Sequence, residues 1–336
     1  MVGQRVGVVM GGSSGERDVS LRTGDAIARA LEDRGHEVSR IELGAADDWS
    51  SRLRAAKIDV AFLALHGRLG EDGCVQGMCE VLGIPYTGSS VLASALAMDK
   101  VKAKELFRLH NIPTPSAYTF TVDDDLADIE EIHGSFGFPA IVKPRGEGSS
   151  LGVAKVNGYG ELVEAVRKAL QLDDVVLVER YVAAREVQVG VLDGRVLGAI
   201  EVAPKKGIYD YEAKYTPGMT EYFMPARLPP TRYLGVLNLA ERAVRALGCS
   251  GACRVDLLVT EDANEYVLEV NTLPGMTPTS LLPKIAHAAG YDFTSLCESI
   301  LSSARLHACT RKRPAREKQH SEVEQLSPAV PFAQAV

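Results

Sequence analysis

The chain has 336 residues, 46% apolar and 24% charged, which suits a globular protein of two or three domains and excludes a disordered, collagen-like or disulfide-stapled one. With 37 Lys and Arg against 44 Asp and Glu the formal charge is −7, a poor basis for binding nucleic acid or an anionic membrane. The cysteines at 74, 79, 249, 253, 297 and 309 form no C-x-x-C pair and fit free thiols in a reducing cytoplasm, and residues 1–10 hold too short an apolar run for a signal peptide or membrane span.

Residues 5–10 form a short apolar run suited to a buried parallel strand, broken by Gly11-Gly12-Ser13-Ser14-Gly15. Helical spacing over 16–34, a strand at 38–43 and a second apolar run at 58–65 ending on His66-Gly67 complete a βαβαβ rhythm. That rhythm predicts a Rossmann-like first domain to about residue 98, with ligands beyond the carboxyl ends of its strands, where 11–16 and 66–72 fall. A helix at 98–110 carries Lys100, Lys102 and Lys104, and Pro113 and Pro115 mark a boundary after it. Strands at 138–143 and 152–156 flank a loop at 144–151; a helix at 160–170 and a strand at 175–182 complete a second unit. The strands 186–192 and 195–203 pair around Asp193-Gly194, a favoured hairpin turn. Residues 205–221 have no period and read as a surface loop or lid. A helix at 233–247, a hairpin of 253–260 with 265–271, and one or two helices over 280–301 close the fold; from about 308 the tail is basic, then Pro-rich, and is expected to be a disordered terminus.

The last hairpin carries the strongest chemical signal. A turn between Asp262 and Ala263 sets Asp256 opposite Glu269 and Arg254 opposite Asn271. Facing carboxylates repel, and a hard dication relieves them; carboxylate and amide oxygens are what magnesium accepts, whereas zinc would prefer sulfur or imidazole. The plainer alternative is a solvated strand face, with Leu257, Val259, Val267 and Val270 holding the core side. Residues 143–152, Lys-Pro-Arg-Gly-Glu-Gly-Ser-Ser-Leu-Gly, join two strands and lack the P-loop pattern, so they read either as a flap over a polyphosphate or as a surface turn. The segment 11–16 lacks G-x-G-x-x-G, although Glu42 could stand as a ribose-binding acid in a dehydrogenase-type module. Glu16 at a helix start is favoured by the macrodipole whether or not it meets a ligand. The loop 209–215 could be a cation-bearing lid or an exposed loop, and a lone His66 after a buried strand is more often structural than catalytic.

Together the segments Gly11-Gly12-Ser13-Ser14-Gly15-Glu16, Ala64-Leu65-His66-Gly67, Gly70-Glu71-Asp72-Gly73, Pro85-Tyr86-Thr87-Gly88-Ser89, Met98-Asp99-Lys100, Glu147-Gly148-Ser149-Ser150, Tyr211-Glu212-Ala213-Lys214-Tyr215, Arg254-Val255-Asp256, Glu269-Val270-Asn271-Thr272 and Pro274-Gly275-Met276-Thr277 resemble the D-alanine–D-alanine ligases of the ATP-grasp superfamily, in family order over residues 5–305. The resemblance implies an α/β ATP-grasp fold: a Rossmann-like substrate domain over 1–98, then two α+β ATP-grasp subdomains over 99–182 and 183–307, and a tail at 308–336. It implies two magnesium ions, with manganese as a substitute, on Asp256, Glu269 and Asn271, and ATP phosphates on Lys100, Lys143, Ser149, Ser150 and Lys214. Glu179, Arg180 and Val182 would frame adenine and Glu186 the ribose. Glu16 and His66 would hold the first D-alanine, Arg254 the oxyanion, and Gly275, Ser280 and the Leu281 backbone the second D-alanine. Ser149, Tyr215 and Glu16 would supply the base for the attacking amine. Arg180 in place of a frequent lysine, and Ala183-Ala184-Arg185 in place of a Gly-Pro turn, depart from the family pattern. The implied reaction is ATP-dependent ligation through an acyl phosphate for peptidoglycan precursors, by a cytoplasmic homodimer that binds neither nucleic acid nor membrane. D-lactate or D-serine as second substrate is the alternative, and Tyr215 argues against lactate.

Overall fold

The computed structural model describes residues 4–205, 216, 218–262 and 264–308. Three sheets succeed one another along the chain. The first is parallel, in the order β2–β1–β3, from β1 (Arg5–Gly11), β2 (Glu37–Leu43) and β3 (Val60–Leu63). Central β1 is buried from Val6 to Gly11, as expected of a strand covered on both faces. Helix α1 (Arg17–Glu32) covers one face through Ile27, Ala28 and Leu31. The chain continues through α2 (Trp49–Ala55), α3 (Cys74–Leu82) and α4 (Val91–Met98). The expected helix at 98–110 is two helices. Asp99 ends α4 and caps α5 (Lys100–Leu109), its carboxylate accepting from the Val101 and Lys102 amides at 3.0 Å.

The second sheet is antiparallel, in the order β4–β7–β5–β6: β4 (Ala117–Thr121), β5 (Ala140–Pro144), β6 (Ala154–Val156) and β7 (Val175–Arg180). Short α6 (Ile129–His133) and α7 (Tyr159–Ala169) pack on it around Phe120, Val142, Leu162 and Val178. The third sheet is β10–β9–β8–β11–β12, from β8 (Arg185–Leu192), β9 (Arg195–Pro204), β10 (Thr220–Phe223), β11 (Ala252–Val259) and β12 (Glu265–Asn271). The hairpin turn between β8 and β9 has Asp193 and Gly194 at φ 47° and 78°, the left-handed pair such a turn demands. Strand β10 begins inside the segment read as loop; 206–215 and 217 lie outside the described residues.

Strand alternation divides the third sheet. Val187, Val189, Val191, Val255, Leu257 and Val259 point into a core closed by α8 (Pro230–Leu247), while Glu186, Gln188, Asp256 and Leu258 take the opposite side. The register of β11 with β12 matches the sequence reading at the site: Arg254 lies opposite Asn271, and Asp256 opposite Glu269. A bulge between Asp256 and Leu257 then shifts the pairing, so that Leu257 meets Val267. Leu268 is the inserted residue. The shift explains how Val267 and Val270, an odd number of positions apart, both reach the core. Helices α9 (Leu281–Ala288) and α10 (Phe293–Ser302) close the fold. Leu296, Ile300 and Leu301 of α10 join the core of α1 with β1 and β3. No helix among the described residues is long and apolar enough to cross a membrane.

Candidate active site

A cavity of about 380 Å³ lies between the second and third sheets. It is lined by Lys100, Lys143, Glu147, Ser149, Ser150, Glu179, Arg180, Val182, Glu186, Asp256 and Glu269, so most of the nucleotide and metal candidates converge on one space. Leu258 and bulged Leu268 add apolar wall from the hairpin. Lys100 opens α5 and donates from Nζ to the Glu147 carbonyl at 2.7 Å, tying the helix start to the flap. Lys143 leaves β5 and pairs with Glu179 at 2.5 Å. Arg180 donates to the Phe136 carbonyl at 3.2 Å, and Glu186 accepts from Gln188 at 3.2 Å.

Each of the two facing acids is met by a cation of the chain. Arg254 grips Asp256 with two hydrogen bonds, 2.7 and 2.9 Å, one residue pair along the same strand face. Lys100 Nζ lies 3.8 Å from Glu269. The repulsion that the sequence reading assigned wholly to dications is therefore relieved in part by Arg254 and Lys100. Among the described residues no group of three or more His, Cys, Asp and Glu side chains could hold a metal, so a dication here needs a mixed oxygen set. The residues fit that requirement: two carboxylates, and the amide oxygen of Asn271, two residues along β12 from Glu269 and so on the same strand face. Phosphate and water complete such sets around magnesium.

The flap folds toward the first sheet. Ser149 donates its hydroxyl hydrogen bond to Glu16, which sits at the start of α1, across 133 residues of sequence. A Cβ on Gly148 would come within 2.5 Å of a Glu16 carboxylate oxygen, so any larger residue there would push the Glu16 side chain from its place beside the flap. Ser149 and Ser150 have φ of 47° and 58°, a left-handed pair of non-glycine residues of the kind that clusters at functional sites. Arg68, from the loop after β3, lies 3.5 Å from Glu147 and makes a second link across the same gap.

His66 is buried and pairs through Nδ1 with Glu71 at 3.0 Å. Burial alone would lower the imidazole, but the Glu71 and Glu16 carboxylates outweigh it and raise the His66 pKa. The ring borders a separate small cavity of about 20 Å³ beside Thr23, Thr87 and Met276. Glu42, the acid a dinucleotide site would need, instead pairs with Arg17, whose Nη1 donates to the Leu43 and Gly12 carbonyls. Ser280 precedes α9 and holds Thr277 through an accepted amide bond of 3.0 Å and a hydroxyl contact of 2.8 Å. Leu281 comes next, at the first helical position, where amides have no intrahelical acceptor. Gly275 packs so close that a Cβ would lie 2.9 Å from Ser280 Oγ. Glu16, His66, Arg254, Asn271, Gly275, Ser280 and Leu281 thus lie outside the lining of the large cavity, with Glu16 joined to it through Ser149. Lys214 and Tyr215 lie outside the described residues.

Sequence reasoning quoted Glu71 within a motif but gave it no role, and missed Arg68 and the burial of Lys104. Lys104 was legible in one respect: it stands one helical turn beyond Lys100, on the same face of α5.

A Gly- and Ser-bearing flap, two cavity lysines and an acidic hairpin between two α+β sheets define an ATP-grasp enzyme. Comparison with known proteins agrees. A family profile described as D-ala D-ala ligase C-terminus matches residues 106–302, and one described as D-ala D-ala ligase N-terminus matches 45–89. D-Alanine–D-alanine ligases from Anaeromyxobacter sp. (strain Fw109-5) and Geotalea uraniireducens (strain Rf4) are 51% and 50% identical over 310 and 303 residues, covering 91% and 90% of this chain and 98% and 96% of theirs. The crystal structure of the ligase from Bacillus anthracis superposes with a TM-score of 0.80 at 39% identity, over 89% of this chain and 96% of that one. The VanG D-Ala:D-Ser ligase from Enterococcus faecalis does so at 0.78 and 29%, over 89% and 99%. The chain belongs to the D-alanine–D-alanine ligase family.

Proposed function

We propose that this protein uses ATP to join two D-alanine molecules into D-alanyl-D-alanine, a peptidoglycan building block. The observation that carries the reading is the convergence of Lys100, Lys143, Asp256 and Glu269 on one cavity of about 380 Å³, with the Glu16–Ser149 contact at the flap beside it. It is supported by about half identity to ligases of that name and by a solved relative described as complexed with ATP. The domain limits proposed are 1–98, 99–182 and 183–307.

A carboxylate is a poor acylating agent, and the reaction must activate it. Lys100 and Lys143 hold the ATP phosphates and the 149–150 flap covers them; the family resemblance adds Lys214, which lies outside the described residues. Arg180, Val182 and Glu186 border the nucleoside. Asp256, Glu269 and Asn271 would hold two magnesium ions, for which manganese could substitute, and ions bound there would supply positive charge against the repulsion between two anions. The carboxylate of the first D-alanine attacks the γ-phosphate, ADP leaves, and an acyl phosphate results. Glu16 holds the ammonium of that first D-alanine, and His66, paired with Glu71, helps to hold the same substrate. Gly275, Ser280 and the Leu281 amide take the carboxylate of the second. Its amine must lose a proton before attack, and Ser149, hydrogen-bonded to Glu16 and assisted by Tyr215, provides the path. Arg254 stabilises the tetrahedral oxyanion, and phosphate leaves. The 149–150 flap shields the acyl phosphate from water.

ADP release is expected to require both D-alanine and magnesium, which a coupled assay measures; release without D-alanine would refute the assignment. Offered D-alanine, D-lactate and D-serine as second substrate, the enzyme should yield mainly D-alanyl-D-alanine, because the D-serine enzyme VanG is 29% identical where the D-alanine ligase structure from Bacillus anthracis is 39% identical. The five described cysteines are unpaired, which supports a reducing cytoplasmic setting. A homodimer is proposed from the family resemblance. Residues 308–336 extend past the family match that ends at 302. Their deletion should leave kcat within about twofold, a change worth roughly 0.4 kcal/mol of barrier; a larger loss in steady-state assays would give the tail a part in catalysis.

A further inference from the structure

We propose that Lys104, which lines no part of the nucleotide cavity, is a positioning residue for nucleotide binding that acts through Glu179 on Lys143. The proposal rests on the ATP site described above.

Three charged groups stand in a row beneath the cavity. The Glu179 carboxylate, 3% exposed, pairs through Oε2 with Lys143 at 2.5 Å and through Oε1 with Lys104. Lys143 reaches the cavity; Lys104 does not, and its side chain is 1% exposed. Lys104 also donates to Thr114 Oγ1 at 2.6 Å and to the Pro115 carbonyl at 3.0 Å. It therefore pins the link between α5 and β4 to the carboxylate. Glu179 itself is fixed centrally in the second sheet, opposite Ala117 on β4 and Ile141 on β5.

The charge count explains the arrangement. Two ammonium groups and one carboxylate leave a net positive charge at the cavity floor. A Glu179–Lys143 pair alone would be neutral, and Lys143 would face the polyphosphate with its charge already cancelled by its neighbour. Lys104 occupies Glu179 from behind and frees that charge for the ligand. An ammonium this deeply buried is an expensive way to fill space, because apolar side chains of similar volume are commonly as stable or more so. A purely packing role therefore does not account for a lysine here.

The groups facing Lys104 are Glu179 from β7, Lys143 from β5 and Arg108 from its own helix. Burial lowers its pKa, Glu179 opposes the fall, Lys143 and Arg108 add to it, and the result is about 8. Glu179 would be raised by burial, but Lys143 and Lys104 together hold it below its usual value. On the alkaline side of neutrality Lys104 should therefore lose its proton while Glu179 stays ionised.

The test is calorimetric binding of a non-hydrolysable ATP analogue with magnesium, without D-alanine, near pH 7 and near pH 9. Wild-type protein should bind about fivefold more weakly at the higher pH, the sign expected when a cation behind the site discharges. Lys104→Met should bind about tenfold more weakly than wild type near pH 7 and show no further alkaline loss. Lys104→Arg, which stays charged, should match wild type near pH 7 and hold that affinity at the higher pH. In turnover assays KM for ATP should track these changes while KM for D-alanine stays put. Wild-type-like affinity in Lys104→Met, or an alkaline loss that persists in Lys104→Arg, would overturn the proposal. Should Lys104→Met not fold, the wild-type and Lys104→Arg profiles decide: a flat wild-type profile overturns it. A wild-type protein that binds no nucleotide near pH 7 would bring down the ATP site as well, which separates the two failures.

Discussion

Asp256→Asn and Glu269→Gln are each expected to lower kcat by a factor of about 1,000 or more while the protein still melts cooperatively. The two acids lie opposite one another on β11 and β12 and line the same cavity as Lys100 and Lys143. Either substitution removes a full negative charge from the oxygen set proposed to hold the dications, and metal-derived charge stabilisation is worth several kcal/mol in phosphoryl transfer. Both replacements are near-isosteric, and the amide of Asp256→Asn would keep an oxygen for Arg254, so the hairpin should persist. Magnesium titration of each variant alongside circular dichroism checks the two halves separately. Full turnover in either variant would remove the metal assignment.

Arg254→Ala should damage both stability and chemistry. Arg254 makes two hydrogen bonds to Asp256, whose side chain is only 5% exposed. Removing the guanidinium takes a bidentate partner from a buried carboxylate, a change that destabilises by about 3 kcal/mol. A reaction that passes through a tetrahedral oxyanion also loses a donor, worth about 100-fold in kcat. The predicted signature is a lowered melting temperature together with a fall in kcat. High magnesium should restore part of the stability, because a dication substitutes for the missing charge on Asp256. It should not restore kcat. A variant that melts like wild type would show that Asp256 does not depend on Arg254.

The hairpin shows what strand alternation makes visible. Pairing Asp256 with Glu269 and Arg254 with Asn271 needed only the period of two and a turn position. The bulge at Leu268 was not legible, because nothing local marks an inserted residue; it is forced by the demand that Val267 and Val270 both be buried. Asp99 was readable as a cap but was absorbed into an unbroken helix, since the apolar pattern runs on across it. Lys100 and Lys143 were found as cations near a flap. The depth of Lys104 was hidden, because burial of a charge depends on a partner, and Glu179 is 75 positions away in sequence. The Glu16–Ser149 contact likewise joins loops far apart along the chain, where only the resemblance to a known family pointed, and the equally distant Arg68–Glu147 contact had no signal in the sequence.

Helix α10 packs its Leu296, Ile300 and Leu301 against Val6, Val8, Ile27 and Leu31 near the start of the chain, and His36 pairs with Glu298 at 2.8 Å across that junction. During synthesis on the ribosome the first parallel sheet therefore emerges with an oily flank that stays unshielded until the last helix has been made. The first and last parts of the polypeptide mature as one event, and a nascent chain stalled before residue 293 would present that flank to chaperones.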